Sequence, residues 1–450
     1  MASCTLVKAL GAILALTAVS ASSVLQRDTA IPPSRDPFYS QPPGFENFAP
    51  GTILKHRAPP APLGNFGAIP LNLQSAHQIQ FRTTNSQGNP DTAVTTVMVP
   101  ANGNYSRLIS YQDVQDSAYV DCAPSYALQV GSTSKNKLSK ASTFFEAGLL
   151  SLGWIVSIPD YQGSQAAFSS GLQAGHATLD SIRAVLSSSS ITGIAPQDVD
   201  ITMWGYSGGS IATEWAAELQ PSYAPELRIL GAAIGGTVVN LNNTILSMNN
   251  GQYAGLGVAG LWGLYQAFET PELRELVDEE LYPQSRPFFE KPRMQCASAD
   301  FDQFDNQDVF SYFRSGEAFL NKPEMRDIVE RTGIMGRHGL PQIPLYFYKA
   351  KEDVVSAGDD NDRLVEQFCG QGIKSLQYVR NSRGSHTSES IAGSGGAVGF
   401  LRDRFEGVEP YRGCHTRDVW LWDMEMANLK MFGNEILAAI KALFEMPFKE

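Results

Sequence analysis

The run Asp200-Ile201-Thr202-Met203-Trp204-Gly205-Tyr206-Ser207-Gly208-Gly209-Ser210 decides how this chain is read. Asp200 to Trp204 is a short apolar strand, and an amphipathic helix is predicted from about Gly208 to Leu219. Between them lies Gly205-Tyr206-Ser207-Gly208-Gly209, the one G-x-S-x-G of the sequence. A strand in, a glycine-flanked serine, and a helix out is the context of a nucleophile elbow. So sharp a turn forces the serine into a strained backbone conformation, and glycine neighbours leave the turn room to close. The Ser207 hydroxyl then stands above the sheet at a helix N-terminus, where the Gly208 amide can donate to a developing oxyanion. A glycine-rich chain can produce such a turn by chance, but the flanking strand and helix favour the elbow.

Working outward, Gly153 to Pro159 is another short buried strand. Leu172, Leu179, Ile182 and Leu186 follow it at helical spacing, and Leu227 to Ala233 returns as a strand. Such alternation predicts a mostly parallel sheet covered on both faces. Earlier strand-like runs, His77 to Thr83, Ala93 to Val99 and Arg107 to Tyr111, are separated by Asn, Gly and Pro turns. The proline-rich stretch from Ser22 to about Gly51 reads as an extended arm packed on the domain. After Gly236 the alternation stops. From Ile229 to Phe268 there are 40 residues without a charge, and Tyr253 to Phe268 reads as an apolar helix or helix pair. More charged helical sequence runs from Pro271 to about Arg331. The pattern resumes with strands Ile343 to Tyr348 and Ser375 to Arg380, a helix near Arg363 to Phe368, and a helix after Glu389. The expectation is one α/β domain, residues 22–236 and 326–450, interrupted by a helical insertion over residues 237–325.

A serine hydroxyl needs a base to remove its proton and an acid to orient that base. After a G-x-S-x-G elbow the order along the chain is serine, acid, histidine. Three histidines lie downstream: His338, His386 and His415. His338 precedes the Ile343 strand, which leaves no strand end between it and the insertion to carry an acid. His415 adjoins Cys414 and reads as part of a disulfide-tethered surface loop. His386 sits in the loop after the Ser375 strand, where a catalytic base belongs. The acid is expected at the end of the preceding strand, where Lys351-Glu352-Asp353 leaves it. Asp353 precedes the apolar pair Val354-Val355 and is favoured over Glu352, Asp359 and Asp360, the last two reading as helix-start residues. His56, His77 and His176 show no metal-ligand spacing, and no phosphate- or dinucleotide-binding glycine motif is present, so no cofactor is expected.

Composition limits the partners. The 450 residues carry 34 Lys and Arg against 46 Asp and Glu, a net charge of −12 that opposes binding to nucleic acid. With 43% hydrophobic residues the chain is too apolar for intrinsic disorder. Residues 1–21 read as a signal peptide: Lys8, an apolar stretch from Ala9 to Val19, then Val19-Ser20-Ala21 with small residues where signal peptidase requires them. No later run suits a membrane span, so a secreted protein acting as a monomer is expected. Cys4 leaves with the signal. Cys122, Cys296, Cys369 and Cys414 remain, an even number suited to two disulfides in any of three connectivities. Asn104-Tyr105-Ser106 and Asn242-Asn243-Thr244 are N-glycosylation sequons.

Several motifs together resemble the fungal secretory lipase family, the Candida antarctica lipase A-like hydrolases. They are Asp36-Pro37-Phe38-Tyr39, Pro50-Gly51-Thr52-Ile53-Leu54, Ser110-Tyr111-Gln112, Asp116-Ser117, Cys122-Ala123-Pro124-Ser125-Tyr126, Pro159-Asp160-Tyr161-Gln162-Gly163, the elbow, and His386-Thr387-Ser388-Glu389. The resemblance covers nearly all the chain after residue 21. It implies an α/β-hydrolase fold with a helical cap, a triad of Ser207, Asp353 and His386, and an oxyanion hole of Asp116 with the Gly208 amide. An aspartate there must be protonated or donate through its backbone, because a carboxylate would repel the oxyanion. The resemblance also implies the pairings Cys122–Cys296 and Cys369–Cys414. The expected substrate is an acylglycerol. The same family includes trichothecene deacetylases, which keeps a smaller acetyl ester open, and transfer to an alcohol acceptor or an inactive binding role are further alternatives. In one departure, the chain has Ser356 where family members usually carry proline three residues after the acid.

Overall fold

The computed structural model describes residues 30–420. The signal-peptide reading of residues 1–21 lies outside them. The strands in chain order are β1 (Ile53–Arg57), β2 (Gly64–Asn65), β3 (Ile69–Pro70), β4 (Leu73–Thr84), β5 (Pro90–Pro100) and β6 (Asn104–Gln112). They continue with β7 (Trp154–Pro159), β8 (Asp200–Tyr206), β9 (Ile229–Gly235), β10 (Leu345–Ala350), β11 (Ser375–Asn381) and β12 (Gly413–Val419). Strands β2 and β3 form a small separate pair, and the other ten make one sheet in the order β1-β4-β5-β7-β6-β8-β9-β10-β11-β12. From β7 to β12 every neighbouring pair is parallel, while β1, β4, β5 and β7 pair antiparallel.

The parallel strands are apolar without alternation because both faces are covered. All six residues of β7 (WIVSIP) and of β10 (LYFYKA) are buried. One face packs Val97, Ile155, Met203 and Phe347 against the helices Gly171–Leu186, Gly208–Tyr223 and Gly358–Gly370. The other packs Tyr111, Trp154, Trp204 and Tyr346 against the helices Lys137–Ser151 and Ser394–Phe405.

Between β9 and β10 the chain forms helices and turns with two isolated β-bridges, the helices running from Leu241–Met248 to Pro323–Thr332. They bury a core of their own, including Leu261, Trp262, Phe289, Phe304, Phe310 and Phe319. The stretch read as a helix or helix pair is a single helix, Ala254–Ala267, buried nearly all round, which explains its lack of charge. Helical structure continues to Thr332, past residue 325. Cys122–Cys296 ties this segment to the loop after β6, and Cys369–Cys414 ties the helix 358–370 to β12. Among the described residues, no helix is long and apolar enough to cross a membrane.

Two local readings need correction. His415 lies not in a loop but on β12, which pairs with β11 along its whole length. The strand is exposed at the edge of the sheet and polar (GCHTRDV), so no apolar alternation announces it. The arm before β1 is broken by short 3-10 turns, Pro37–Tyr39 and Phe45–Asn47. Asp36 caps the first turn and pairs with Arg57 at 2.6 Å.

Candidate active site

Parallel strands that share a direction deliver their carboxyl ends to one edge of the sheet, where α/β proteins bind ligands. At that edge β6 leads to Asp116, β8 to Ser207, β10 to Asp353 and β11 to His386.

Ser207 is the junction between β8 and the helix 208–223, with φ +54° and ψ −121°. A side chain at φ > 0 is strained, and such strain concentrates at functional sites. Of the seven non-glycine residues with positive φ among the described residues, Asp116, Ser169 and Ser207 line one cavity. The glycines of the elbow are fixed by sterics. A methyl on Gly209 would lie 2.0 Å from the carbonyl oxygen of Gln112 at the end of β6. One on Gly208 would lie 1.7 Å from Asp116 Oδ1, so the Asp116 carboxyl leans directly over the start of the helix.

His386 Nε2 is 2.7 Å from Ser207 Oγ, and its Nδ1 is 2.7 Å from Asp353 Oδ2. All three side chains are largely buried. His386 is the first residue of a helix, His386–Ala392, rather than a loop residue. Ser385 caps that helix with a reciprocal Ser388 contact. Tyr206 Oη donates to the His386 carbonyl at 2.5 Å, so the residue before the nucleophile also positions the base.

Asp353 Oδ1 accepts the amides of Val355 at 2.8 Å and Ser356 at 3.1 Å. Proline in place of Ser356 has no N–H and could not make the second bond. Asp353 Oδ2 accepts a second partner besides His386: Lys349 Nζ at 2.8 Å, from a side chain 1% exposed. Burial alone would raise the Asp353 carboxyl, but His386 and Lys349 outweigh it and hold the group well below the usual carboxylate range. Of the rival acids, Glu352 and Asp359 are exposed, and Asp360 pairs with Arg363 and Asn243.

Asp116 is 2% exposed and its Oδ1 has no hydrogen-bond partner. Burial and the nearby Asp113 push its carboxyl up to about 7. The cavity beside Ser207 measures about 20 Å³, room for roughly one water. Phe168, Ile211, Leu241, Ile245, Met248 and Leu256 make its walls apolar. A larger cavity of about 520 Å³ lies under arm residues Pro33–Ser40 and touches none of Ser207, Asp353 and His386.

A family model described as "Secretory lipase" matches residues 128–413. Lipase A of Arthroderma benhamiae is 37% identical over 429 residues, 94% of this chain and 90% of that protein. The chain belongs to the secretory lipase family. Trichothecene C-3 esterase of Fusarium sporotrichioides is 39% identical over 407 residues, 86% of this chain and 88% of its own. Among solved structures, Candida antarctica lipase A in its closed state matches with a TM-score of 0.82 at 28% identity, covering 92% of this chain and 96% of that one. This secretory lipase family member is therefore a carboxylic ester hydrolase with the α/β-hydrolase fold, acting on an ester or lipid.

Within this secretory lipase fold, Ser207, Asp353, His386, Asp116 and Gly208 converge. His338 lies elsewhere, stacked on Trp215 with its amide donating to Glu218 at 2.8 Å. The four cysteines pair as the resemblance implied. The sequence reading gave no role to Lys349, Tyr206 or Glu389. Lys349 carried a signal: a lone lysine near the end of a strand otherwise made of buried apolar and aromatic residues needs a partner.

Proposed function

We propose that the protein is a secreted serine ester hydrolase working through an acyl-enzyme. His386 Nε2 takes the Ser207 proton as Oγ attacks the ester carbonyl carbon. The Gly208 N–H and the neutral Asp116 carboxyl hold the oxyanion. His386 then returns the proton to the leaving alkoxide, and a water activated by the same imidazole releases the acid. Asp353 keeps Nδ1 protonated and steadies the imidazolium. The unbroken run from Asp353 through His386 to Ser207, 2.7 Å at each link, carries this reading. The raised Asp116 carboxyl supports its role, since a neutral acid donates where an anion would repel.

Insertion residues Leu241, Ile245, Met248 and Leu256 line the cavity beside Ser207, which supports a cap over residues 237–325. An apolar capped site favours an acylglycerol as substrate. The small cavity and the trichothecene esterase relative favour a second reading, deacetylation of a compact ester. One chain supplies every residue of the site, which fits a monomer. The two disulfides fit an extracellular setting. Of the two sequons, Asn104 is exposed whereas Asn242 is half-buried beside the buried Thr244, so Asn104 is the better glycan acceptor.

Hydrolysis of a series from acetyl esters to emulsified long-chain triacylglycerol tests both readings. Rates that rise with chain length establish the lipase, and activity confined to acetyl or butyryl esters replaces it with the small-ester reading. Ser207→Ala must lower either activity by roughly 10⁵-fold or more. Full activity in that variant would sink the mechanism.

A further inference from the structure

Lys349 is the next-to-last residue of β10, and its neighbours in the sheet are β9 and β11. An ammonium has three N–H donors and needs three acceptors when water is excluded. Here it has three: Asp353 Oδ2 at 2.8 Å, the Thr237 carbonyl at 3.3 Å and the Ser356 hydroxyl oxygen. Ser356 in turn donates to the same Thr237 carbonyl at 2.9 Å. One carboxylate oxygen is thus shared between an ammonium and the imidazole of His386. Asp353 is the counter-charge of two cations whenever His386 is protonated.

We propose that Lys349 is a positioning residue for the esterase reaction, whose buried ammonium anchors Asp353 and opposes protonation of His386, keeping the base free at lower pH. The inference rests on the triad reading given above. Its physical basis is that a like charge disfavours a second one nearby, and here the two share a single acceptor atom. Burial opposes the charge on Lys349, and Asp353 favours it. Other charged or titratable groups face this cluster. Glu389 comes from the His386 helix, Asp360 from the helix 358–370, Tyr206 from β8, Tyr348 from β10, and Tyr253 from the segment before helix 254–267. Glu389 is the one that can imitate the effect, because burial pushes its carboxyl up to about 7.

The test is the pH dependence of kcat/KM on a soluble short-chain ester for wild type, Lys349→Met and Lys349→Arg, each also in a Glu389→Gln background. Removing the charge moves the acid limb of Lys349→Met upward by roughly one pH unit, while Lys349→Arg keeps the wild-type limb. The shift persists with Glu389→Gln. A role confined to holding the loop lowers kcat/KM at every pH without moving the limb, and that result overturns the proposal. If circular dichroism shows Lys349→Met unfolded, Lys349→Gln, which donates an amide N–H without a charge, gives the same reading. If neither neutral variant folds, the charge serves folding instead of tuning and the proposal falls. Ser207→Ala separates the two levels: activity surviving in it refutes the triad, whereas activity lost in it with an unmoved limb refutes only Lys349.

Discussion

The two halves of the site are held by different forces. On the nucleophile side, Ser207 is fixed by sterics: a strained backbone, a strand end at Gln112 that leaves no room beyond hydrogen at Gly209, and a carboxyl over Gly208. On the acid-base side, Asp353 and His386 are fixed by charge and hydrogen bonds. Two amides, one ammonium and one imidazole converge on a single carboxylate. Sterics give a position that pH does not alter. Charge gives a position and a protonation state together, so damage on that side shows in the pH profile as well as in the rate.

On the charge-held side the largest expected effect comes from removing the charge at its centre. Asp353→Asn is close to isosteric, but an amide no longer favours the Nδ1–H tautomer or the imidazolium, and kcat falls roughly 10⁴-fold. It also leaves the Lys349 ammonium buried without its counter-ion, which costs about 3–5 kcal/mol of stability. Measuring kcat and denaturant unfolding on the same sample checks both. A variant that loses activity at unchanged stability would mean that Lys349 is neutral in the folded protein.

The same contrast explains what the sequence made legible. The steric half is local: strand, Gly-x-Ser-x-Gly and helix lie within about twenty consecutive residues, so Ser207 and Gly208 could be read directly. His386 and Asp353 were reachable because strand ends are visible as breaks in apolar runs. Lys349 was marked only by its charge in an apolar strand; its pairing with Thr237, across 112 positions, leaves no local pattern. The edge strand β12 was missed for the opposite reason. Exposed on both sides, it has no burial to pattern it; the Cys369–Cys414 bridge, its pairing with β11 and the ion pairs of Asp418 with Lys351 and Arg380 fix it. The helix 254–267 showed its burial through the missing charges, but not what it packs on.

Gly209→Ala challenges the steric half. The added methyl must displace the backbone of Gln112, four residues before Asp116, since the obstructing atom is a carbonyl oxygen and not a flexible side chain. Overpacking of this kind costs about 1–3 kcal/mol. The displaced loop carries Asp116, so kcat falls as well, and falls most below about pH 7, where the Asp116 carboxyl is neutral and can donate. Thermal unfolding and a pH–rate profile decide it. Unchanged stability in Gly209→Ala would break the division between a steric and an electrostatic side.

The smallest effect tests whether the charge-held side also sets the pH dependence of stability. Burial pushes the carboxyls of Asp116, Asp160, Asp300 and Glu389 up to about 7, from ordinary values of 3.8 for aspartate and 4.5 for glutamate. A group whose folded value is raised binds its proton more tightly in the folded state. Its contribution is fully present below the ordinary value and is lost as pH rises through about 7. Asp353 has the opposite sign: its value is lowered, so its contribution is present above the ordinary range and lost only in strong acid. Between about pH 4 and 7 the raised groups dominate, and the midpoint of thermal unfolding should fall by roughly a few °C from pH 5 to pH 8. Glu389→Gln removes one of these groups beside the base, and Asp116→Asn removes one beside the nucleophile. Each should flatten the slope by a similar amount, because desolvation is the leading cause at both positions. A slope that flattens only for Glu389→Gln would place the titrating acids on the charge-held side alone, leaving Asp116 ionised and removing its hydrogen bond to the oxyanion.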